Sequence, residues 1–390
     1  MQTPYFSISK KKLDENVKAF QEALNTLWPN SILGYSVKTN SLPWVLEYLC
    51  SKGVYAEVVS DEEYQLARLT GYPHERIIFN GPVKGKQIFS EACNNGSIIN
   101  IDSQNDLKFL KKYGHHKVKI GARVNINPEI FAQEDIGYEE DGFRFGFSDE
   151  TGALKIALEH INAICKKDAV GLHLHCNSVT RSLQVYKAVA EYAAKIIKKH
   201  QLEVDFIDIG GGFFGGVPGK TTPFEYIKCI KNELERVIDI DKTKLIIEPG
   251  SAIIGSVVDL HTMVIDVKDT CKSRIVTTDG SRIHIDPLWI KKQYMFSIQN
   301  CDAGIRENIP KQVICGYTCM DHDRLMIIEN HPELMPGDII RYHRVGAYTM
   351  TFGGMFIRYY PDIYVEDGID LYKVRNQIDV KDYIKIHTNS

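Results

Sequence analysis

A lysine closes the first strand that the sequence predicts. The strand covers Ser31–Val37, and Lys38 follows it directly, before two polar residues and an apolar helical stretch. An amine at the end of a strand can form a Schiff base with a carbonyl group, provided that its surroundings lower its pKa. Most lysines in such places are solvated charges, so this motif alone leaves both interpretations open.

Two histidines lie at the end of a later predicted strand, Val170–His175. His173 and His175 are two residues apart and therefore point to the same side of a strand. They are consistent with a pair of metal ligands or with hydrogen-bonded core histidines. A third interpretation places His175 flat against a cofactor ring, with the hydroxyl of Ser178 donating to a phosphate.

Three consecutive glycines, Gly210–Gly212, close the next predicted strand, Phe206–Ile209. Their backbone N–H groups can surround an anion, and the loop after the seventh strand of a parallel barrel is a usual phosphate site. A plain turn is the alternative, but the position in the strand order favours phosphate.

Glu248 ends the last predicted strand of this series, Lys244–Glu248. A carboxylate buried at the mouth of a barrel is unstable without a positive partner. A protonated pyridine nitrogen would supply that partner, and the pair would keep the ring cationic, so that the ring can accept electrons from a carbanion.

Two polar, turn-rich segments, Cys315–Asp323 and Gly346–Thr349, occur in the C-terminal part of the chain. Ordinary turns between strands would explain them as well as a functional site would. Spacing alone does not separate the two interpretations.

The elements that must position these residues follow a regular order. Short β-rich runs alternate with amphipathic helical stretches, which predicts a (β/α)8 barrel of the TIM type over 11–255, with a doubly wound sheet as the competing arrangement. Later β runs between turn signals predict a second, mainly β C-terminal domain over 256–390, which residues 1–10 join. The predicted barrel strands are Ser31–Val37, Tyr55–Val59, Arg76–Phe79, Ser97–Ile101, Val118–Val124, Val170–His175, Phe206–Ile209 and Lys244–Glu248, and the later runs are Ser256–Val267, Arg274–Thr278, Ile339–His343 and Ile357–Val365.

Length and composition limit the function classes. A chain of 390 residues exceeds one ordinary core, and a formal charge of −3 gives no indication of a nucleic-acid partner. No apolar run is long enough to span a bilayer, so no membrane role is expected. The nine cysteines are dispersed without metal-site spacing, and the start has no secretory pattern, so we expect reduced thiols, no metal and a cytoplasmic protein.

Taken together, these motifs resemble the alanine-racemase-like, fold type III decarboxylases that depend on pyridoxal 5′-phosphate (PLP). This group contains the ornithine, diaminopimelate and carboxynorspermidine decarboxylases. The motifs occur in the family's order over nearly the whole chain, with weaker markers at Ala56–Ser60, Phe79–Lys84 and Phe143–Gly146. The resemblance implies removal of the α-carboxylate of an amino acid, with PLP as the cofactor.

The resemblance also implies roles for matching residues. It implies that Lys38 forms the Schiff base with PLP, that His175 stacks on the ring and that Cys319 donates a proton. In this family the cysteine enters the active site from the other subunit of a head-to-tail homodimer, so a homodimer with shared active sites is expected. The remaining implied contacts are Ser178, Gly210, Gly211, Gly212 and Tyr348 for the phosphate, Glu248 for the pyridine nitrogen, and Phe356 for the substrate.

Three positions depart from the family pattern. Ser251 stands where the relatives usually carry arginine, so one charge partner of the phosphate is missing or supplied elsewhere. Asn177 replaces a glycine, which suits a turn that accepts a left-handed residue. Met320 stands where ornithine and diaminopimelate enzymes place an acid that binds the distal end of the substrate, and a thioether cannot pair with an ammonium group.

The substrate is therefore expected to be a non-standard or acid-conjugated diamino acid, as in siderophore-type variants of the family. Arg282 and His284, within a segment that begins at Asp279, are predicted to receive its anionic distal group. A one-residue shift would bring Asp321 to the position of the missing acid, so diaminopimelate, ornithine or lysine stays an alternative. A catalytically inactive regulatory homologue is a further alternative.

Overall fold

The computed structural model describes residues 1–137, 141–166 and 169–388. The chain divides into two compact units, which we call the barrel unit, Glu15–Ile253, and the β unit, Met1–Asp14 with Ile254–Ser390. No helix of the described residues is both long and apolar enough to cross a membrane.

The elements are numbered along the chain. The strands are β1 (Tyr5–Ser9), β2 (Ser31–Ser36), β3 (Tyr55–Val58), β4 (Ile77–Phe79), β5 (Ile98–Ile101), β6 (Lys119–Asn125), β7 (Phe147–Ser148), β8 (Ala169–His173), β9 (Glu203–Asp208), β10 (Lys244–Ile247), β11 (Val258–Asp269), β12 (Arg274–Thr278), β13 (Met295–Gln299), β14 (Asn308–Cys315), β15 (Arg324–Pro332), β16 (Ile339–His343), β17 (Asp362–Asp367) and β18 (Asp370–Arg375). The α-helices are α1 (Lys10–Leu27), α2 (Pro43–Ser51), α3 (Asp61–Leu69), α4 (Lys86–Asn94), α5 (Gln104–Tyr113), α6 (Ala153–Cys165), α7 (Leu183–His200), α8 (Pro223–Leu234), α9 (Ser251–Ile254), α10 (Arg282–Ile285) and α11 (Val380–His387).

Eight parallel strands of the described chain close the barrel in the order β2-β3-β4-β5-β6-β8-β9-β10, with β10 pairing back to β2. Their residues are almost all buried, because helices cover the outer face and side chains fill the interior. Each predicted barrel strand overlaps one of these, although β8 ends at His173 and leaves His175 outside the strand. The predicted fold class, a TIM-type barrel with a mainly β second domain, is confirmed.

Local sequence signals fix where the barrel helices begin. The hydroxyl of Ser60 accepts the N–H of Glu63 at the start of α3, and Thr222 with Glu225 forms a capping box at the start of α8. Such caps satisfy N–H groups that have no partner within the helix. The helices therefore start directly after the loops that carry the polar residues.

The β unit is a sheet in which β1 pairs with β11 on one side and β17 on the other. The prediction of a strand over Ile357–Val365 is wrong in its first half, since β17 begins at Asp362. Ile357 has a φ of +66°, which an extended strand does not accept, and Pro361 cannot donate to a ladder. The sequence prediction also missed β1, β13, β14, β15 and β18.

Candidate active site

Lys38 lies at the carboxyl end of β2, in a single 3₁₀ turn that spans Val37–Thr39. Its Nζ is 3.4 Å from Oε2 of Glu57, a buried carboxylate at the end of the neighbouring strand β3. Glu57 also accepts the hydroxyl of Ser36 at 2.6 Å. Because the carboxyl ends of parallel strands meet at one edge of the barrel, the amine is held where barrel chemistry takes place.

Two buried carboxylates lie at the ends of β9 and β10. Asp208 accepts the backbone N–H of Gly210 and the amide of Asn100, each at 2.9 Å. Glu248 accepts the amide of Asn80 at 2.8 Å, and the same amide also donates to Glu57. These amides orient the carboxylates without neutralising them.

Burial is the main cause of unusual acidity at this pair. It raises the pKa of Asp208 to about 7, and burial together with the nearby Asp208 raises the pKa of Glu248 well above its usual range. Two carboxylates in a dry site cannot both ionise without a cation. The pair therefore forms a site for a positively charged group, or else retains a proton.

His173 completes this cluster. Its Nε2 lies 3.9 Å from Oε2 of Glu248, and neither ring nitrogen has a hydrogen-bond partner among the described residues. It is therefore not a hydrogen-bonded core histidine. Burial lowers its pKa well below the usual range, so the ring is neutral. Ligand atoms of His173, Asp208 and Glu248 lie within 4.8 Å of one another, a spacing that also suits a metal ion. The geometry alone therefore fits either a metal ion or a positively charged organic group.

His175 lies beyond the end of β8, against the glycine loop, which is Gly210–Gly212 after β9. A Cβ on Gly210, which has a φ of +67°, would lie 2.6 Å from Cγ of the His175 ring, so only glycine allows this approach. Burial, with the positive charges of Arg123 and Lys38, lowers the pKa of His175 to about 3. The site thus contains a neutral, flat imidazole face.

The glycine loop is built for close backbone approach. A Cβ on Gly211 would lie 2.4 Å from the carbonyl oxygen of Glu248, and Gly212 has a φ of +87°. The hydroxyl of Tyr186 donates to the carbonyl of Gly211 at 3.1 Å. Ser178 Oγ accepts the N–H of Arg181 at 2.9 Å. These contacts fix two segments whose N–H and O–H groups suit a phosphate.

The turn after His175 differs from the sequence interpretation. Asn177 does not have a positive φ; the left-handed residue of this segment is Arg181, with a φ of +53°. The absence of glycine at position 177 therefore costs nothing in backbone strain, because the turn places its left-handed residue later.

The β unit holds the other predicted residues, some exposed and some buried. Cys319 is exposed and Met320 half-buried, in the loop between β14 and β15. Asp323 anchors this loop, since its carboxylate accepts the hydroxyls of Thr318 at 2.7 Å and Ser281 at 2.9 Å. The exposed members of the predicted set in this unit are Cys319, Asp321, Tyr348 and Phe356.

The residues predicted to bind the distal end of the substrate differ in burial and in charge. Arg282 forms a short ion pair with Asp286 and donates to the carbonyl of Lys291 at 2.7 Å, so its charge is already neutralised. His284 is buried, and burial lowers its pKa to about 4. Asp279 is buried and accepts the N–H of Met263 at 2.8 Å, and burial raises the pKa of Asp279.

Sequence reasoning gave no role to Glu57, Asn80 or Asp208, although each lies in a motif that it noted. The signal was available, because each stands at the carboxyl end of a barrel strand or directly after it. A polar residue in an otherwise apolar parallel strand indicates a site at that end.

Comparison with known proteins gives the family of the chain. The family model "Pyridoxal-dependent decarboxylase, pyridoxal binding domain" matches residues 10–255. The chain is 27% identical to a probable diaminopimelate decarboxylase, chloroplastic, of Oryza sativa subsp. japonica, over 99% of this chain and 80% of that protein. It is 26% identical to the diaminopimelate decarboxylase of Archaeoglobus fulgidus, over 91% of this chain and 85% of the relative.

A solved structure shows the same fold. The crystal structure of diaminopimelate decarboxylase from M. jannaschii superposes with a TM-score of 0.85 at 21% identity, covering 100% of this chain and 93% of that one. The residues described above fit the cofactor that the family match implies. The carboxylate pair suits a protonated pyridine nitrogen, the His175 face suits an aromatic ring, and the glycine loop suits a phosphate.

Proposed function

The chain belongs to the pyridoxal-dependent decarboxylases, and from that premise we propose that it decarboxylates a non-standard or acid-conjugated diamino acid. PLP-dependent removal of an α-carboxylate, the activity of a carboxy-lyase, is common to the family match and the named relatives. The choice of substrate, the roles of individual residues and the homodimer are the proposal.

The barrel unit would hold PLP through three kinds of contact. Lys38 supplies the amine for a Schiff base, the N–H groups of the glycine loop and Ser178 bind the phosphate, and Glu248 keeps a proton on the pyridine nitrogen. Support comes from the raised pKa of the buried carboxylate pair, which a cationic ring nitrogen would relieve. When bound, PLP supplies the electron sink that stabilises the carbanion left by departing CO₂.

The neutral histidine and the lysine would act around that ring. His175, with a pKa of about 3, presents an uncharged face, so that it packs on the ring without opposing its positive charge. The 3.4 Å contact between Lys38 and Glu57 keeps the amine at the end of β2. Glu57 also offers the lysine a proton acceptor on each turnover.

The β unit would supply the proton that replaces CO₂. Cys319 carries an exposed thiol on a loop that Asp323 anchors. We propose that it acts on the barrel of a second copy, with Tyr348 completing the phosphate site and Phe356 contacting the substrate. Their exposure in the single chain, 37% for Tyr348 and 46% for Phe356, is what such a shared site requires.

Met320 is the observation that carries the substrate proposal. A distal ammonium group buried against a thioether has no charge partner, which costs several kcal/mol relative to a carboxylate site. The ion pair of Arg282 with Asp286 removes Arg282 from the groups expected to bind an anionic distal end. The proposal therefore depends on the missing acid and not on that arginine.

Diaminopimelate is the second candidate substrate. The relatives are named as diaminopimelate decarboxylases, and the match to this chain covers most of their length. Both facts favour this substrate. Asp321, directly after Met320 and exposed, would have to turn into the substrate site for this alternative to hold. Ornithine or lysine as the substrate would also require Asp321 to turn into the substrate site.

The test is CO₂ release from a panel of free and acid-conjugated diamino acids. We expect poor turnover of ornithine, lysine and diaminopimelate by the wild type, and a gain on these substrates for Met320→Asp. Met295→Asp is the matched control, because Met295 is an exposed methionine of the same unit, and it should change nothing. Wild-type efficiency above about 10⁴ M⁻¹s⁻¹ on a free diamino acid would overturn the substrate proposal.

A further inference from the structure

An arginine between β8 and α7 faces the glycine loop. Nη1 of Arg181 lies 3.5 Å from the carbonyl oxygen of Phe213, the residue that follows Gly212. The backbone of Arg181 is held on both sides, because its N–H donates to Ser178 Oγ at 2.9 Å and its carbonyl accepts the hydroxyl of Tyr226 at 2.6 Å. The guanidinium thus reaches the residue after Gly212, while the backbone of Arg181 is tied to the segment that carries Ser178.

The backbone conformation of Arg181 is costly. Its φ of +53° lies in the left-handed region, which glycine and asparagine occupy far more readily than a long side chain does. The turn therefore gives no reason for an arginine at this position. Residues held in such conformations cluster at ligand sites, where the side chain serves a purpose that the backbone does not.

The charge of Arg181 is also available. Among residues 1–137, 141–166 and 169–388, no carboxylate forms an ion pair with its guanidinium, whereas Arg123 pairs with Asp102 at 3.0 Å and Arg236 pairs with Glu233 at 2.7 Å. A guanidinium that lacks an anionic partner among these residues attracts an anion from solution.

The phosphate of PLP is such an anion, with nearly two negative charges near neutral pH. Backbone N–H groups and hydroxyls contribute only partial charges to its binding. Ser251, which begins α9 directly after Gly250, adds no charge either. A full positive charge beside the loop would strengthen the binding of this anion.

We propose that Arg181 is the cationic ligand of the cofactor phosphate, binding it across the loop from Gly211 and Gly212. The assignment rests on the proposed placement of the phosphate at the glycine loop. It answers how the chain compensates for the uncharged residue at position 251, with a charge that comes from the β8–α7 connection.

The chain offers a matched control. The ring of Phe214 has two cations near it, the guanidinium carbon of Arg181 at 5.4 Å and Nζ of Lys220 at 5.5 Å from its centroid. Lys220 is exposed, and among the described residues its ammonium group forms no hydrogen bond with the glycine loop. A Lys220 substitution removes one positive charge and one cation contact with the Phe214 ring, as an Arg181 substitution does. It leaves the proposed phosphate ligand in place.

The experiment compares PLP with pyridoxal, which lacks the phosphate. Apoprotein of the wild type, Arg181→Met, Arg181→Gly and Lys220→Met is titrated with each, and binding is followed by the visible absorbance of the adduct. We expect both Arg181 variants to bind PLP about 30-fold or more weakly, with pyridoxal within about threefold of wild type. Arg181→Gly relieves the left-handed strain, so its thermal stability should not fall, and a loss of PLP affinity in it is not a folding defect.

The outcomes separate this assignment from the proposal on which it rests. Equal PLP affinity of the wild type and both Arg181 variants would overturn the assignment, and so would equal weakening of PLP and pyridoxal, which would mean that Arg181 only holds the loop. An effect of Lys220→Met as large as that of Arg181→Met would overturn it as nonspecific charge. If wild type itself binds PLP no better than pyridoxal, the placement of the phosphate at the loop fails as well.

Discussion

The barrel unit and the β unit prepare their functional residues in opposite ways. In the barrel unit the carboxylates Glu57, Asp208 and Glu248 are buried, and the amide of Asn80 bridges Glu57 and Glu248. In the β unit Cys319 and Asp321 are exposed on one loop. Ordering a buried polar network costs free energy once, during folding, whereas exposed side chains must be ordered when they bind.

The difference matches the two proposed tasks, which are to hold the cofactor and to turn over the substrate. A cofactor that stays bound through every turnover favours a site that is already rigid before it binds. A substrate that enters and leaves favours groups that remain accessible. We therefore expect variants of the barrel cluster to lose cofactor binding, and variants of the β-unit loops to keep the cofactor but lose turnover.

The largest effect is expected for Glu248→Gln. An amide cannot hold a proton on the pyridine nitrogen, so the ring loses most of its capacity to accept electrons, and kcat should fall by about 10³-fold or more. Steady-state CO₂ release with saturating PLP gives kcat, and the visible spectrum reports whether the cofactor environment changes.

Glu233→Gln is the control for that variant. Glu233 is a buried carboxylate of the same unit on α8, and it pairs with Arg236, away from the cluster. Its loss should lower stability and leave kcat within about twofold, since it touches none of the reacting groups. Equal losses of activity in both variants would remove the special role of Glu248.

A smaller effect is expected for Cys319→Ala. Loss of a positioned proton donor typically lowers the rate by about 10²-fold, while the barrel should keep its cofactor spectrum. Cys271→Ala, which removes another exposed cysteine of the β unit, should leave the rate unchanged.

Mixing subunits tests whether Cys319 acts on a second copy. Inactive Lys38→Ala and Cys319→Ala chains, mixed equally and allowed to exchange, should regain about a quarter of wild-type activity, because half of the dimers then carry one intact site of two. No recovery after demonstrated exchange would show that each site is built within one chain.

The sequence predicted the barrel better than the β unit for a physical reason. Parallel strands buried on both faces are continuous apolar runs, so segments such as Lys244–Glu248 are easy to find and the strand ends point to site residues. In the β unit, β18 is mostly exposed and lacks a buried face, which removes the alternating pattern. The charge partner of Arg282 could not be predicted either, because Asp286 meets it only through the turn of the short helix α10.

The smallest effect is expected in the pH dependence of apoprotein stability. The pKa of Asp208 is about 7 in the folded protein against an ordinary 3.8, so the folded state holds a proton that the unfolded state releases. Stability from this group is therefore fully present below about pH 4 and falls as pH rises toward 7.

Urea unfolding of apoprotein between pH 4 and 8 measures this slope. Comparison with Asp208→Asn isolates the contribution of the group, and the variant should have a flatter profile across that window. Bound PLP should flatten it as well, because a cationic ring nitrogen lets the carboxylates ionise. A variant profile parallel to that of wild type would contradict a shared proton in the cluster.

The central claim is that this barrel holds PLP through Lys38, and chemical trapping tests it most directly. The holoenzyme is reduced with borohydride, digested and mapped by mass spectrometry. The account predicts a pyridoxyl adduct on Lys38 that is absent from Lys38→Ala, with exposed lysines such as Lys52 unmodified. An adduct on another lysine, or none in a preparation that shows the cofactor's visible absorbance, would contradict it.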